Sequence, residues 1–375
     1  MIKKEGIVMP EKQTRPAFHG SDIEQIESYY GIPKENIVKF GANVNPLGLS
    51  EAVRRSLAGH LDIITSYPDR DYKELRRAIA QYCGTDMDYV VTGNGSTELI
   101  SLLISQRKAR HALVIGPTYS EYERELSLTG GRISNYCLKE SQDFHINPEE
   151  LDKALADDVD FLILCNPNNP TSSALTCGEL DSLVSLCRER QIFVMIDETY
   201  VEFAPSVDEI TAVPLIPRYD NLMIIRGVSK FFAAPGLRLG YGITSSQTFL
   251  DSLKQHQNPW SLNSIGAYAG ELMLKDRDYI IKTRELILSE RAKCIDKLKE
   301  FRYVKSYPAY GNFILMKILK EGLTSFDVFE HAIRQGMMIR DCSSFEGLPG
   351  EYVRFCMMMP KDNDRLLRCL GELLA

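Results

Sequence analysis

The chain of 375 residues has room for about two domains. Its 44% hydrophobic and 25% charged content are those of a folded protein with a sizeable core. A formal net charge of −7 argues against a general nucleic-acid binder, whose phosphate contacts need a basic surface. No apolar run approaches the roughly 20 residues that cross a bilayer, so no membrane association is expected. The start, MIKKEGIVMPEKQTRP, is charged and lacks an apolar stretch, which reads as neither a signal nor a transit peptide. The nine cysteines are odd in number, scattered and never in CxxC spacing. That fits reduced thiols in a cytoplasmic enzyme better than a disulfide framework or a metal site.

From about Tyr67 to Gly242 short apolar runs alternate with longer amphipathic ones. In chain order, HALVIG (111–116), FLILC (161–165), IFVMID (192–197), LMIIR (222–226) and LGYGI (239–243) are predicted to be buried strands. Intervening stretches such as 179–191 have helical spacing. Strands alternating with helices imply parallel β-α units, hence an α/β fold with a mostly parallel sheet covered on both faces. After Trp260 the texture changes. A helical stretch over about 263–300 leads to a strand over 312–319, a helix over 325–335, a short strand near Met338 to Arg340, a strand over 352–358 and a closing helix. This predicts a smaller α+β domain over 263–375, joined by its linking helix to a large domain over 63–262. The segment 1–62 is expected to pack with the small domain.

Four features fall at strand ends or loops of the large domain, where open α/β sheets bind ligands. VVTGNGSTELISLLI sets a Gly-rich turn directly before an amphipathic helix. The backbone N–H groups of Gly95, Ser96 and Thr97 are then expected to face an anion, although a plain helix cap looks the same. FLILCNPNNPT ends a strand in a turn where Asn169 offers a donor, and Asn-Pro pairs also simply form turns. FVMIDETYVEF carries Asp197 at the carboxyl end of an apolar strand. A protonated heterocyclic nitrogen, a helix cap or a salt bridge would each satisfy that costly carboxylate. SKFFAAPGLRLGYG puts Lys230 and Arg238 in one loop. A lone lysine is ordinarily a surface charge, but the flanking Phe231, Phe232, Ala233 and Ala234 form an apolar setting that lowers an amine pKa and favours Schiff-base chemistry.

The order of these features resembles the aminotransferase class I/II superfamily, the fold-type-I pyridoxal-phosphate enzymes. The resemblance runs from about residue 19 to the end and is most specific at NPNNPT, DETYVEF and SKFFAAPGLRLG. It implies pyridoxal 5′-phosphate, held as a Schiff base on Lys230, which later shuttles the proton. Asp197 would keep the pyridine nitrogen protonated, so that the ring acts as an electron sink. Asn169 and Tyr200 would bond the ring hydroxyl, and Tyr119 would stack on the ring. Ser229 and Arg238, with the backbone around Gly95, Ser96 and Thr97, would take the phosphate. Tyr67 would reach the phosphate of a partner subunit, so a homodimer with the site at its interface is expected.

Within the superfamily the chain is similar to histidinol-phosphate aminotransferase and threonine-phosphate decarboxylase. FHG, ANVNPLG, NPWSLN and IRDCSSFEGL resemble the decarboxylase. That likeness implies a substrate phosphate or phosphonate held by His19, Gly20, Asn43 and Arg340, and a carboxylate held by Arg354 with Asn169. Four positions depart from the pattern. Ser21 and Asp22 replace a Gly-Asn pair after His-Gly, Ser172 replaces a Gly after NPT, and Gly227 replaces a hydroxyl residue. Aminotransferases are the commoner outcome in this superfamily, and an acidic Asp22 beside a phosphate weakens the decarboxylase match. The function expected is therefore an aminotransferase for a small phosphorylated or phosphonate amine or amino acid. Decarboxylation of an O-phospho hydroxy-amino acid is the alternative, and a non-catalytic pyridoxal-phosphate-binding protein the remote one. GNGSTE lacks the endings of a P-loop and of a dinucleotide fold.

Overall fold

The computed structural model describes residues 18–375, so the charged start read as carrying no leader lies outside the described residues. Eleven strands form two sheets. The larger sheet takes β1 (Val90–Asn94), β2 (His111–Gly116), β3 (Arg132–Cys137), β4 (Phe161–Cys165), β5 (Phe193–Asp197), β6 (Leu222–Gly227) and β7 (Leu239–Ile243). Their spatial order is β1-β7-β6-β5-β4-β2-β3. The five strands from β3 to β6 run parallel, while β7 is antiparallel to both β6 and β1. The short connection between β6 and β7 explains the reversal, because a parallel return needs a crossover of about a dozen residues or more, usually a helix. The architecture is the α/β one expected, with a mostly parallel sheet, helices and a second domain built on a small antiparallel sheet.

β4 and β5 are buried at every position, as the near-continuous apolar runs of a doubly covered parallel sheet require. β3 was not predicted: RISNYC is an edge strand that exposes Arg132, Asn135 and Cys137, so no apolar run marks it. The helical stretch over 263–300 is two helices, Ser264–Met273 and Arg277–Lys299. Asp276 breaks it by capping the second, accepting from the Tyr279 amide (3.1 Å).

The smaller sheet orders β8 (Val304–Ser306), β9 (Phe313–Ile318), β10 (Arg340–Asp341) and β11 (Tyr352–Cys356) as β10-β11-β9-β8, all antiparallel. The N-terminal segment runs along it. Val38 bridges Met337, the Cys356 amide donates to the Phe40 carbonyl (2.8 Å), and Phe18 packs on Phe329 with ring centroids 5.9 Å apart. From there residues 41–45 cross to the loop after β6, where the Asn45 amide donates to the Lys230 carbonyl (3.0 Å). That crossing sets the small sheet against the carboxyl ends of the large one.

Candidate active site

A cavity of about 490 Å³ opens between the carboxyl ends of the large sheet and the inner face of the small one. It is lined by every predicted site residue except Gly95 and Tyr67. The strands deliver these groups because each apolar run ends at the same edge of the sheet. Ser96 and Thr97 follow β1, Tyr119 follows β2, Asn169 follows β4, Asp197 ends β5, and Ser229 and Lys230 follow β6.

On the floor, Asp197 is buried and holds two hydroxyl donors. Tyr122 donates to one carboxylate oxygen (2.6 Å) and Thr199 to the other through its hydroxyl (2.5 Å) and its amide (2.9 Å). Burial nonetheless raises its pKa, a cost that a cation at its open side would relieve. The Lys230 amine donates to the Ala42 carbonyl (2.9 Å). Burial, and then the Arg354 charge, lowers its pKa to about 8, so a neutral, nucleophilic fraction exists near neutral pH. Tyr200 is buried, and its hydroxyl accepts from the Asn43 amide at 3.4 Å.

The anion end is built by backbone contact. Gly240 lies so close under Ser96 that a Cβ there would overlap the Ser96 amide, which presses the helix Ser96–Arg107 onto the sheet. Gly95 has φ +82°, and a Cβ on it would overlap the Arg238 guanidinium. The Gly95 amide, expected to face an anion, donates to the Gly93 carbonyl (2.8 Å) in that left-handed turn. The free N–H groups of the helix N-terminus begin at Ser96 and Thr97.

At the opposite rim, Arg340 of β10 pairs in register with Arg354 of β11. Arg340 donates to the Phe18 carbonyl and to the Ser344 hydroxyl (2.7 Å) and lies over the Phe345 ring. Arg354 is buried and donates to the Asn169 side-chain oxygen and the Gly41 carbonyl (2.7 Å), while its Nε has no partner. The buried Asn43 side-chain oxygen also lacks one. Among the described residues, Lys230, Arg238, Arg340 and Arg354 line one cavity and none has a carboxylate within 4 Å. Arg354 is buried and Lys230 and Arg340 are half-buried, and cations held out of water without counter-ions call for anionic ligands.

The model of the aminotransferase class I and II family matches residues 35–370. The chain belongs to this family. It is 32% identical over 357 residues to a threonine-phosphate decarboxylase of Salmonella typhimurium, covering 95% of this chain and 96% of that one. It is 30% identical to a histidinol-phosphate aminotransferase of Methanothermobacter thermautotrophicus, covering 96% and 95%. The solved histidinol-phosphate aminotransferase of Clostridium acetobutylicum superposes with a TM-score of 0.83 at 31% identity, covering 89% and 98%. As a class I and II aminotransferase-family enzyme, the protein uses pyridoxal 5′-phosphate. The site fits that group: a buried carboxylate, a buried amine without a counter-ion, and an anion pocket of helix N-terminus and Arg238 stand at the edge of one sheet.

Among family members this chain's departures have local causes. Asp22 is turned back to accept from the His19 amide (2.7 Å), and only Ser21 of the pair lines the cavity. Gly227 abuts the Leu239 carbonyl, which a Cβ would press at 3.2 Å. Tyr67 is 81% exposed and stacks on Trp260 with ring centroids 4.9 Å apart, outside the cavity. Sequence reasoning missed Tyr122, which lies in the first turn of the helix Glu121–Ser127 with its ring edge-on to that of Tyr119 at 5.6 Å. It also missed Ser344, Glu123, Asn135 and Cys137 in the cavity wall, for which no motif exists.

Proposed function

We propose that this enzyme removes the α-carboxylate of a small amino acid that carries a terminal phosphate or phosphonate. The observation that carries the reading is the paired Arg340 and Arg354, two cations without counter-ions on neighbouring strands facing Lys230. Two anionic groups on one small substrate match them. Arg354, steadied by Asn169 and the Gly41 carbonyl, takes the carboxylate. Arg340, with His19 and Gly20 at the rim, takes the phosphate or phosphonate. Bound pyridoxal phosphate supplies an electron sink for a substrate amine joined to it. Lys230 offers its neutral amine to hold the cofactor and then moves a proton at the substrate α-carbon. Asp197, oriented by Tyr122 and Thr199, holds a proton on the heterocyclic nitrogen. Asn169 and Tyr200 fix the ring hydroxyl, Tyr119 covers the ring face, and Ser96, Thr97, Ser229 and Arg238 hold the phosphate. The exposed Tyr67 and Trp260 would meet a second copy of the chain.

The turned-back Asp22 removes one of the two grounds that favoured transamination, and the likeness to the Salmonella decarboxylase supports the same choice. Transamination is the second reading, supported by the aminotransferase relatives. Holoenzyme incubated with O-phospho-L-threonine, O-phospho-L-serine, histidinol phosphate and 2-aminoethylphosphonate separates them. Release of CO₂ from either phosphoamino acid, with the visible cofactor band retained, is expected. Conversion to the pyridoxamine form without CO₂ would establish transamination instead. Borohydride should fix the cofactor to Lys230, and turnover by a colourless Lys230→Ala protein would exclude that lysine.

A further inference from the structure

One carboxylate outside the cavity ties the two sheets together. Glu140 opens the short turn Glu140–Gln142 just after β3 of the large sheet. All four of its side-chain donors come from the small sheet and its flank. One oxygen accepts from the Tyr307 hydroxyl (2.8 Å) and the Lys305 amine (3.3 Å). The other accepts from the Lys317 amine (2.6 Å) and the Tyr352 hydroxyl (3.1 Å). The Lys317 bond above all holds its pKa down to about 2, so it stays charged at every working pH. Phe144, from the same large-domain turn, packs edge-on against Tyr307 (4.9 Å) and Tyr352 (6.2 Å).

Lys317 and Tyr352 face each other across β9 and β11. Arg354 lies two residues beyond Tyr352, so the side chains of both leave the same face of β11. The clamp therefore grips β11 one pleat from the group that faces Lys230. We propose that Glu140 is a positioning residue that sets the place of Arg354 over the cavity and thereby the enzyme's grip on the substrate α-carboxylate. The inference rests on the reading of Arg354 as the carboxylate group. Lys230, Asp197, Asn169 and Arg238 belong to the large domain and do not depend on the clamp.

The test compares O-phospho-L-serine with O-phosphoethanolamine, which is the same molecule without its α-carboxylate. Apparent affinities are read on holoenzyme by stopped flow, from the concentration dependence of the change each ligand makes in the cofactor's visible band before turnover. Glu140→Gln should weaken phosphoserine by about tenfold and leave phosphoethanolamine within about twofold. Cofactor affinity should not change. Lys317→Met, which removes one partner, should give a smaller loss of the same pattern. In an Arg354→Ala background, Glu140→Gln should add nothing. Equal weakening of both ligands, or additive effects in the double variant, would overturn the role of Glu140 alone. If Arg354→Ala leaves phosphoserine binding intact, or wild-type enzyme does not bind phosphoserine, the carboxylate reading fails and this inference falls with it.

Discussion

Arg226 and Arg354 are both buried arginines on strands, yet their surroundings are opposite. Arg226 reaches Glu198 through Nε (2.9 Å) and a terminal nitrogen (2.6 Å), and Thr211 completes the set at 2.7 Å. Glu198 in turn accepts from the Ala212 amide (2.6 Å) and the Thr211 hydroxyl (2.9 Å). Every charge there is met within the protein. Arg354 has carbonyl oxygens around it, an unpartnered Nε and a cavity in front. A closed pair stabilises a particular packing, whereas an open cation holds a place for a ligand. Burial alone distinguishes neither; the completeness of the partner set does.

The largest effect should come from breaking the closed pair. Arg226→Met leaves Glu198 buried without its counter-ion and should lower stability by about 3–5 kcal/mol. Adding Glu198→Gln should restore most of that, because the Ala212 amide still donates to the side-chain oxygen and the Thr211 hydroxyl accepts from the new NH₂. Activity per folded molecule should be nearly unchanged. Arg354→Ala should do the reverse: a kcat/KM lower by roughly a hundred- to a thousandfold, about 3–4 kcal/mol, with a melting temperature close to wild type. Thermal melts beside steady-state kinetics decide it. A destabilised Arg354→Ala protein with normal kcat/KM would erase the distinction.

Glu202 is a buried charge of a third kind, with neither carboxylate oxygen hydrogen-bonded. Burial raises its pKa to about 7 despite the opposing Arg226 charge. The unfolded chain ionises near the ordinary value of about 4.5. The folded state then binds more protons between these two values, so stability is greatest below about 4.5 and falls as pH rises to about 7. Glu202→Gln cannot titrate. Relative to wild type it should gain up to about 3 kcal/mol between pH 4.5 and pH 8, read from denaturant midpoints. A wild-type-minus-variant difference that is flat with pH would show that Glu202 is ionised in the fold.

The same distinction explains what the sequence made legible. β4, β5 and β6 announce themselves as apolar runs, and the motif that follows each sits at the same sheet edge, so the cavity floor could be read in order. The rim could not. Asp22 has a residue type that argues against a phosphate site and an orientation that removes the objection. Glu140 collects donors from positions 305, 307, 317 and 352, which only the docking of two sheets brings together. The bond from the Gly95 amide to the Gly93 carbonyl was not legible either, because a glycine turn has two uses for its N–H, an anion or a carbonyl of the turn, and spacing does not choose between them.

Ser172 is the smallest and most local case of a satisfied partner set. Its φ of +61° is left-handed, a conformation that costs a residue with a Cβ about 1–2 kcal/mol and glycine nothing. The serine is fully buried, and its hydroxyl accepts from the Gly311 amide (2.9 Å) while its carbonyl accepts from the Tyr310 amide (2.8 Å). The hydroxyl therefore offsets strain that glycine would avoid. Ser172→Ala keeps the strain and leaves the Gly311 amide unsatisfied, at about 1–2 kcal/mol. Ser172→Gly loses the same bond but relaxes the backbone, so its loss should be under about 1 kcal/mol. Asn312, the next residue along, donates to the Asn43 carbonyl (3.0 Å), so KM should shift no more than a few-fold in either variant. The order of the two stabilities is the measurement that matters: a glycine variant weaker than the alanine one would mean that the hydroxyl does not compensate the left-handed turn.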